Sequence, residues 1–213
     1  MDLNSLAKNL ALRLSEQLPG PQAHELLRAK PVGQFIPKFE HKASPRLGSV
    51  LILLYPENDS IFFPLIKRPD YLGTHSGQIS LPGGKAEPGE DAVETALREA
   101  NEEVGADSKQ IQILGKLSEF YVIPSNFLIT PVVGMSFTNP SFIPDTHEVV
   151  KILTAKLSDL LREDAIQTKE ILAAGRYALQ APHFEIEGEI VWGATAMILN
   201  ELRMVLKEVD TGF

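Results

Sequence analysis

The sequence predicts a mixed α/β domain in which helices pack on both sides of a β-sheet. Two apolar runs that favour strands, residues 49–55 and 61–66, follow each other closely. A strongly periodic helix pattern covers residues 91–104, and a second amphipathic pattern covers residues 194–208. Strands interleaved with a few helices are typical of one sheet with helices on both of its faces.

The first 46 residues are expected to form a helix and then an extended arm that packs on the domain at residues 47–213. Leucines recur every three or four positions with charged residues between them, which indicates a short amphipathic helix: Leu3, Leu6, Leu10, Leu14 and Leu18. Prolines then interrupt the chain at five positions up to residue 45. Ile36 and Phe39 are the candidate anchors of this arm.

The runs at residues 49–55 and 61–66 predict a β-hairpin, because only a short turn-forming segment separates them. Pro64 in the second run favours an edge position or a bulge, since proline cannot donate a ladder hydrogen bond. A polar, glycine-rich loop is expected over residues 69–89. The helix at residues 91–104 should end at Gly105, a residue that suits the left-handed position after a helix.

The rest of the chain predicts further strands and one more helix. Strands are expected at residues 111–122, 127–137 and 149–153, with a helical turn at residues 157–161. Residues 166–191 indicate short strands around turns at residues 174–175 and 187–188. The last helix should turn one apolar face inward, made of Ile198, Leu202, Val205 and Leu206.

Composition limits the kind of partner. The 213 residues have a formal net charge of −8 and a pI of about 5.2, which argues against DNA or RNA as a ligand. A small phosphorylated ligand stays compatible, because a bound divalent cation reverses the local charge. The chain has no cysteine, which excludes disulfides, thiolate metal sites and a cysteine nucleophile.

The sequence does not predict contact with a membrane. Its first 20 residues do not follow the pattern of a signal peptide, and no apolar run approaches the roughly 20 residues that span a bilayer. We therefore expect a soluble, cytoplasmic protein. The leucine-rich first helix could form a homodimer contact or pack on its own domain, and both interpretations stay open.

The helix at residues 91–104 has an apolar stripe and an acidic side. The stripe consists of Val93, Ala96, Leu97, Ala100 and Val104. The opposite side carries Glu99, Glu102 and Glu103, which are neighbours at spacings of three and four residues. Their repulsion, about a few tenths of a kcal/mol for each pair, adds to an unfavourable position near the helix C-terminus.

A cation beside these glutamates would relieve both unfavourable effects. Carboxylate oxygens are the ligands that Mg²⁺ and Mn²⁺ prefer. A solvated acidic helix face is the alternative. The neighbouring residues favour the metal: Gly83-Gly84 lets backbone approach a ligand closely, and Arg98 could pair with Glu94 or Glu90 to pin the loop to the helix.

Residues 84–105 resemble the signature sequence of the Nudix hydrolase family. The match consists of Gly84, Glu90 after five further residues, Arg98-Glu99 after seven more, Glu102-Glu103 and Gly105. Every charged and glycine position of that signature is filled. Ala100 and Ala106 stand where bulkier aliphatic residues are usual, a departure that affects packing only.

The resemblance implies an α/β/α sandwich with a mixed sheet, and hydrolysis of a nucleoside diphosphate linked to another group. It implies that Glu99, Glu102 and Glu103 bind Mg²⁺, with Mn²⁺ as a substitute, and that Gly83 adds a backbone carbonyl. Glu90 and Arg98 would form a bracing salt bridge. The general base would be Glu99 or an acid from a loop outside the signature, for which Glu148 is our candidate. A surface acid is the alternative interpretation of Glu148.

A narrower resemblance covers residues 65–68, 74–84, 125–131 and 192–196, which are similar to the coenzyme A pyrophosphohydrolases of this family. It implies cleavage of coenzyme A or its thioesters to 3′,5′-ADP and 4′-phosphopantetheine or its acylated form. The candidate substrate-binding residues that follow from it are Arg68, His75, Gln78, Gly84 and Lys85.

The chain departs from that subfamily at three positions. Pro69 and Gly73 stand where a small residue and a second arginine are usual, and Leu81 replaces a phenylalanine. The arginine is a potential phosphate contact. Other substrates such as NADH, ADP-ribose or a sugar nucleotide therefore stay open, as does a nucleotide-binding module without turnover.

Overall fold

In a computed structural model of the chain, residues 2–33, 39–70, 77–173, 175 and 177–209 are described. Their helices are α1 (Leu3–Leu14), α2 (Pro21–Leu26), α3 (Ala92–Val104), α4 (Leu157–Leu161) and α5 (Gly193–Lys207). Their strands are β1 (Lys30–Pro31), β2 (Arg46–Glu57), β3 (Ser60–Lys67), β4 (Ile79–Ser80), β5 (Gly83–Lys85), β6 (Ile111–Lys116), β7 (Phe120–Val122), β8 (Phe127–Ser136), β9 (Lys151–Lys156), β10 (Gln167–Ala173), β11 (Tyr177–Ile186) and β12 (Glu189–Val191). None of these helices is long and apolar enough to cross a membrane.

A mixed sheet forms the centre of the fold. Its strands follow the order β4–β3–β2–β8–β6, and β5, β7 and β9 pair with β2, β8 and β3. Strands β2 and β8 are parallel, from Arg46 opposite Phe127 to Leu54 opposite Met135, and the other pairs are antiparallel. The predicted hairpin is confirmed as β2–β3, which closes at Glu57 opposite Ser60.

Alternation along β2 sends apolar side chains to both faces of this sheet. Ile52 and Leu54 belong to the larger core, which includes buried residues of α1, α4 and α5. Leu51 and Leu53 belong to a second core, which includes buried residues of α3. Burying both faces in this way requires helices on each side. The structure therefore confirms the predicted α/β/α sandwich with a mixed sheet.

A smaller sheet forms from the C-terminal strands and the N-terminal segment. Its order is β1–β11–β10, and β12 pairs with β11. The turn between β11 and β12 has positive φ angles at Glu187 and Gly188, 50° and 77°. The Glu187 carboxylate accepts hydrogen bonds from the Thr154 N–H at 2.7 Å and from Lys151 Nζ at 2.6 Å. These contacts fix the small sheet to β9 of the central sheet.

The N-terminal segment differs in part from the expected extended arm. Helix α1 is confirmed, and its Leu6 and Leu10 are buried in the larger core. The following residues include helix α2 and strand β1, which the sequence did not predict. Pro21 begins α2, a position where its missing N–H removes no helix hydrogen bond. Phe39 is 40% exposed and is not an anchor, and Ile36 lies outside the described residues.

Two other segments differ from expectation. The predicted loop at residues 69–89 contains strands β4 and β5, and the predicted strand at residues 111–122 divides into β6 and β7.

Pro64 lies in β3, which is not an edge strand, because it has partner strands on both sides. On one side it faces Thr154 of β9, and on the other side it lies between the end of the β2 pairing at Phe62 and the start of the β4 pairing at Ile66. Neither β2 nor β4 pairs with Pro64 on that side, so the missing N–H of this proline breaks no hydrogen bond with them.

Candidate active site

Helix α3 begins and ends at residues that suit its termini. The Asp91 side chain accepts hydrogen bonds from the N–H groups of Val93 and Glu94, at 2.7 and 2.9 Å. The Glu94 carboxylate in return accepts from the Asp91 N–H at 2.9 Å, which completes a capping box. Gly105 ends the helix in the left-handed conformation, with φ 70°, as predicted. Because Glu94 is used in the cap, it is not the partner of Arg98.

The Arg98 guanidinium joins the loop to the helix. Its Nε and Nη2 donate to the two oxygens of Glu90 at 2.6 and 3.0 Å, and Nη2 also donates to the Lys85 carbonyl at 3.0 Å. Its Nη1 donates to Glu99 Oε1 and to Glu102 Oε2, both at 2.9 Å. The bonds from Arg98 to Glu90, together with one from the Glu87 N–H, lower the pKa of Glu90 to about 2. The structure therefore pairs Arg98 with Glu90, and places the same guanidinium between Glu99 and Glu102.

Glu103 has different partners from the other two glutamates and is buried, with a side chain 1% exposed. Its Oε2 accepts a hydrogen bond from the Gly83 N–H at 2.8 Å, and its Oε1 lies 3.2 Å from Arg68 Nη2. The same Nη2 donates to the Gly83 carbonyl at 3.0 Å, and Arg68 Nε donates to Ser80 Oγ at 3.1 Å. The sequence placed Glu103 on an exposed side of the helix, whereas β5 covers it.

Positions 83 and 84 require glycine for a steric reason. At Gly83, φ is +152°, and a Cβ atom would lie 2.6 Å from Val50 Cα on the neighbouring strand. At Gly84, a Cβ atom would lie 2.5 Å from the carboxyl carbon of Glu99. Only glycine therefore lets β5 approach β2 on one side and the Glu99 carboxylate on the other.

Burial raises the pKa of two glutamates of α3. It raises the pKa of Glu103 to about 7, although the charge of Arg68 and the Gly83 N–H oppose that shift. Burial also raises the pKa of Glu99 against the hydrogen bond and charge of Arg98. Glu102 is more open to solvent, with a side chain 56% exposed. A group of acids with perturbed pKa values is typical of functional sites.

Glu148 lies near these acids, on the segment that follows β8. That segment is fixed to the C-terminus of α3 by hydrogen bonds from the Ile143 N–H to the Val104 carbonyl at 2.9 Å and from the Asp145 N–H to the Glu103 carbonyl at 3.0 Å. The negative charge of Glu148 contributes to the raised pKa values of Glu99 and Glu103. Glu148 itself is exposed.

The oxygens of this site match the ligand preference of Mg²⁺. Carboxylates of Glu99, Glu102 and Glu103 and the Gly83 carbonyl are hard donors, as this ion requires. Within the described part of the chain, however, no three acidic or histidine side chains converge in a metal-binding group. Arg98 holds one oxygen each of Glu99 and Glu102, whereas Arg68 holds Glu103 and the Gly83 carbonyl. The donor oxygens therefore suit Mg²⁺, but their side chains must move before they can bind one ion together.

The other candidate residues divide into three groups. Arg68 lies in the site, and its N–H donates to the Gln78 carbonyl at 3.1 Å, which brings Gln78 beside it. Gly84 and Lys85 belong to β5, where the Lys85 carbonyl binds Arg98 and the Lys85 side chain is exposed. His75 lies outside the described residues, as does Gly73.

The sequence missed the contact of Arg68 with Glu103 and the role of Ser80 as its partner. Both depend on the pairing of β4 with β3, where Ile66 lies opposite Ser80. No local pattern in residues 77–84 predicts a two-residue strand. The resemblance of the segment before the signature sequence was the one signal that marked Arg68.

The fold and the site together define the class of protein. It is an α/β/α domain in which candidate catalytic acids lie on helix α3, next to the short strand β5 that contains Gly83 and Gly84. The NUDIX domain family matches residues 45–181, which include β5 and all of α3. A match over more than half of the chain shows that it belongs to the Nudix hydrolase family, whose members act on nucleoside diphosphate derivatives and generally use divalent metal ions.

Curated relatives agree with this assignment. The chain is 34% identical over 140 residues to the uncharacterized Nudix hydrolase NudL of Yersinia enterocolitica serotype O:8 / biotype 1B, covering 65% of this chain and 70% of that protein. It is 32% identical over 162 residues to NudL of Yersinia pestis (strain Pestoides F), covering 75% and 79%.

Solved structures share the fold. The Nudix hydrolase RenU from M. smegmatis superposes with a TM-score of 0.55 at 15% identity, over 78% of this chain and 88% of that one. The MutT protein from Methanosarcina mazei Go1 gives a TM-score of 0.51 at 17% identity, over 79% and 99%. At these identities the likeness concerns the fold alone.

Proposed function

We propose that this chain hydrolyses the diphosphate of coenzyme A or its thioesters, with Mg²⁺ as its cofactor and Mn²⁺ as a substitute. The products are 3′,5′-ADP and 4′-phosphopantetheine or its acylated form. The observation that carries the proposal is the position of Arg68. Residues 65–68 and 77–84, which resemble coenzyme A pyrophosphohydrolases, include the end of β3, strand β4 and the start of β5. They bring the Arg68 guanidinium to within 3.2 Å of Glu103.

The metal would be held by Glu99, Glu102, Glu103 and the Gly83 carbonyl. When bound, Mg²⁺ polarises phosphoryl oxygens and lowers the pKa of bound water. The protein residues have separate roles around it. Arg98 and Glu90 hold the loop against α3, which keeps the Glu99 carboxylate beside Gly84. Arg68 is the positive side chain that would bind a phosphate of the substrate.

A carboxylate must accept the proton of the attacking water. Glu148 is our candidate for this base, because it is exposed to solvent and close enough to Glu99 and Glu103 to affect both pKa values. Glu99 is the second candidate. It is only 14% exposed and its Oε1 is bound to Arg98, which makes it the better ligand and the poorer proton acceptor.

The test is a substrate panel with Mg²⁺, in which coenzyme A, acetyl-coenzyme A, NADH and ADP-ribose are compared and the phosphorylated products are identified. We expect coenzyme A substrates to have the highest kcat/KM and to release 3′,5′-ADP. Turnover of ADP-ribose with no cleavage of coenzyme A would reject the substrate while leaving diphosphate hydrolysis intact.

Variants test the ligand assignment separately from the substrate. Glu102→Gln and Glu103→Gln should each reduce the rate by several orders of magnitude, about the loss expected when an essential electrostatic group is removed. The matched control is Glu170→Gln, the same substitution at an exposed position of β10 in the small sheet. An unchanged rate in both site variants would reject the metal ligands.

A further inference from the structure

Arg68 occupies the oxygens that the proposed function assigns to the metal. Its Nη2 contacts the Gly83 carbonyl at 3.0 Å and Glu103 Oε1 at 3.2 Å at the same time. The other oxygen of Glu103 accepts the Gly83 N–H. Both Glu103 oxygens therefore have partners; the Gly83 N–H is backbone, whereas Arg68 contributes a side chain. A divalent cation that takes the same oxygens must displace this guanidinium.

We infer that Arg68 is an internal counter-cation, which competes with the divalent metal for Gly83 and Glu103 and leaves them when the metal binds. This inference rests on the proposed function, since it uses the same ligand assignment. It adds a role that a simple phosphate-binding residue does not have. The buried carboxylate of Glu103 keeps a positive partner in the metal-free protein, and the guanidinium becomes available to substrate only after metal has replaced it.

Arg98 does not have this role, although it also contacts two of the glutamates. Its guanidinium donates five hydrogen bonds, two of them to Glu90 and one to the Lys85 carbonyl. All five N–H donors of an arginine are then in use, which fixes the side chain in place. It takes only one oxygen from Glu99 and one from Glu102. The second oxygen of each is not bonded to Arg98, so a metal could reach it without any movement of Arg98.

Among the described residues, Arg68 has fewer partners than Arg98, and its side chain is partly open to solvent. Its guanidinium is held by Ser80, the Gly83 carbonyl and Glu103, and its side chain is 25% exposed. The bond from Nε to Ser80 Oγ joins the inner end of the guanidinium, so a rotation about that end moves Nη2 away from Glu103. The freed N–H groups would then face the phosphate that binds beside the metal, where an arginine forms paired hydrogen bonds.

The experiment measures Mn²⁺ binding without substrate, by electron paramagnetic resonance of free Mn²⁺, at mildly alkaline pH. Arg68→Ala and Arg68→Gln should bind Mn²⁺ about ten-fold more tightly than the wild type, because one charge-assisted contact no longer has to be broken. The same variants should show a raised KM in turnover, since the phosphate contact is lost. Circular dichroism establishes that each variant is folded.

Lys67→Ala is the matched control, because it removes the same charge from the adjacent residue. Lys67 pairs with Glu189 at 2.7 Å and contacts no proposed ligand. It should change Mn²⁺ affinity less than about two-fold, as expected for a screened charge outside the site. If the Arg68 variants tighten binding no more than Lys67→Ala, or weaken it, the competition does not exist and the inference is wrong.

Glu103→Gln separates the two proposals. The proposed function requires that this variant bind Mn²⁺ at least about ten-fold more weakly, since a charged ligand is lost. An unchanged affinity would reject the ligand assignment itself, whatever the Arg68 variants do. Weak binding by Glu103→Gln together with unchanged binding by Arg68→Ala would reject only the counter-cation role.

Discussion

Arg98 and Glu90 are joined by two parallel hydrogen bonds, Nε to Oε1 at 2.6 Å and Nη2 to Oε2 at 3.0 Å, across eight residues of sequence. Glu90 also accepts bonds from the Glu87 N–H and from Thr95 Oγ1, at 2.9 and 3.0 Å. Bidentate pairs of this kind fix geometry as well as adding energy. This relationship holds the loop after β5 against α3, and its contribution to stability depends on pH.

Glu90→Gln should lower the Tm at neutral pH, and this decrease should disappear in acid. The pKa of Glu90 is lowered to about 2 in the folded protein by Arg98, from an ordinary value of 4.5. A lowered pKa stabilises the fold above the unfolded value, and the contribution disappears as pH falls through the folded value. The difference in Tm between wild type and Glu90→Gln should therefore shrink between about pH 4.5 and pH 2. A constant difference over that range would contradict the pairing.

The two glycines of β5 should respond differently to alanine. In Gly84→Ala the new methyl group meets the end of the Glu99 side chain, which can move. The Tm should change little, while the rate falls about a hundred-fold, because an ångström of displacement at a reacting centre has that effect. The measurement combines thermal unfolding with initial rates on the preferred substrate.

Gly83→Ala is the companion variant. Its methyl group meets backbone of Val50, and its φ of +152° is unfavourable for alanine. Here the free energy of unfolding should fall by more than about 1 kcal/mol. Equal loss of stability in both variants would show that Glu99 cannot move away from Gly84.

The elements with strong local patterns were predictable from sequence. The helix predicted at residues 91–104 is α3, because its apolar stripe, its capping residue and Gly105 all indicate the same element. The turn predicted at residues 157–161 is α4. For α5 the predicted inward residues Ile198, Leu202, Val205 and Leu206 are buried. Periodicity is sufficient in these cases because burial follows it directly.

The elements that were missed depend on distant parts of the chain. Strands β4 and β5 have two and three residues, and they are strands only because β3 and β2 lie beside them. Helix α2 begins at a proline, which the sequence suggested as a break. The burial of Glu103 follows from the approach of Gly83, twenty residues away. The three glutamates were thus identified as a cluster, while their division between Arg98 and Arg68 required the tertiary structure.

A buried pair outside the site, His24 of α2 and Glu201 of α5, joins the N-terminal segment to the last helix. Glu201 of α5 is fully buried and accepts bonds from His24 Nε2 at 2.8 Å, from the Gly20 N–H at 3.0 Å and from Ser118 Oγ at 2.6 Å. Burial alone raises the pKa of Glu201, but the bonds from His24 and Ser118 outweigh it and lower the pKa.

Glu201→Ala should therefore reduce the free energy of unfolding by about 3–5 kcal/mol, the usual effect of breaking a buried pair. Urea denaturation measures it. Because the pKa of Glu201 is lowered on folding, this contribution is present above the unfolded value and is lost as pH falls through the folded one. Glu208→Ala, which removes the exposed partner of Arg13, is the control and should change stability by less than about 1 kcal/mol. Similar losses in the two variants would contradict the structural role of Glu201.

Substitutions at Glu148 and Glu99 should separate the two candidate bases. Glu148→Gln should lower kcat by about 10²–10⁴-fold, the contribution of a general base, while leaving KM and Mn²⁺ affinity within a few-fold of wild type. A ligand behaves differently, because its removal weakens metal binding before it affects the chemical step. Glu99→Gln should accordingly weaken Mn²⁺ binding and lower kcat together. The control is His147→Ala, in the same exposed turn, whose N–H rather than its ring is bonded to Asp145. If Glu148→Gln retains full kcat, and Glu99→Gln loses kcat with unchanged Mn²⁺ affinity, the base is Glu99 and Glu148 is an ordinary surface acid.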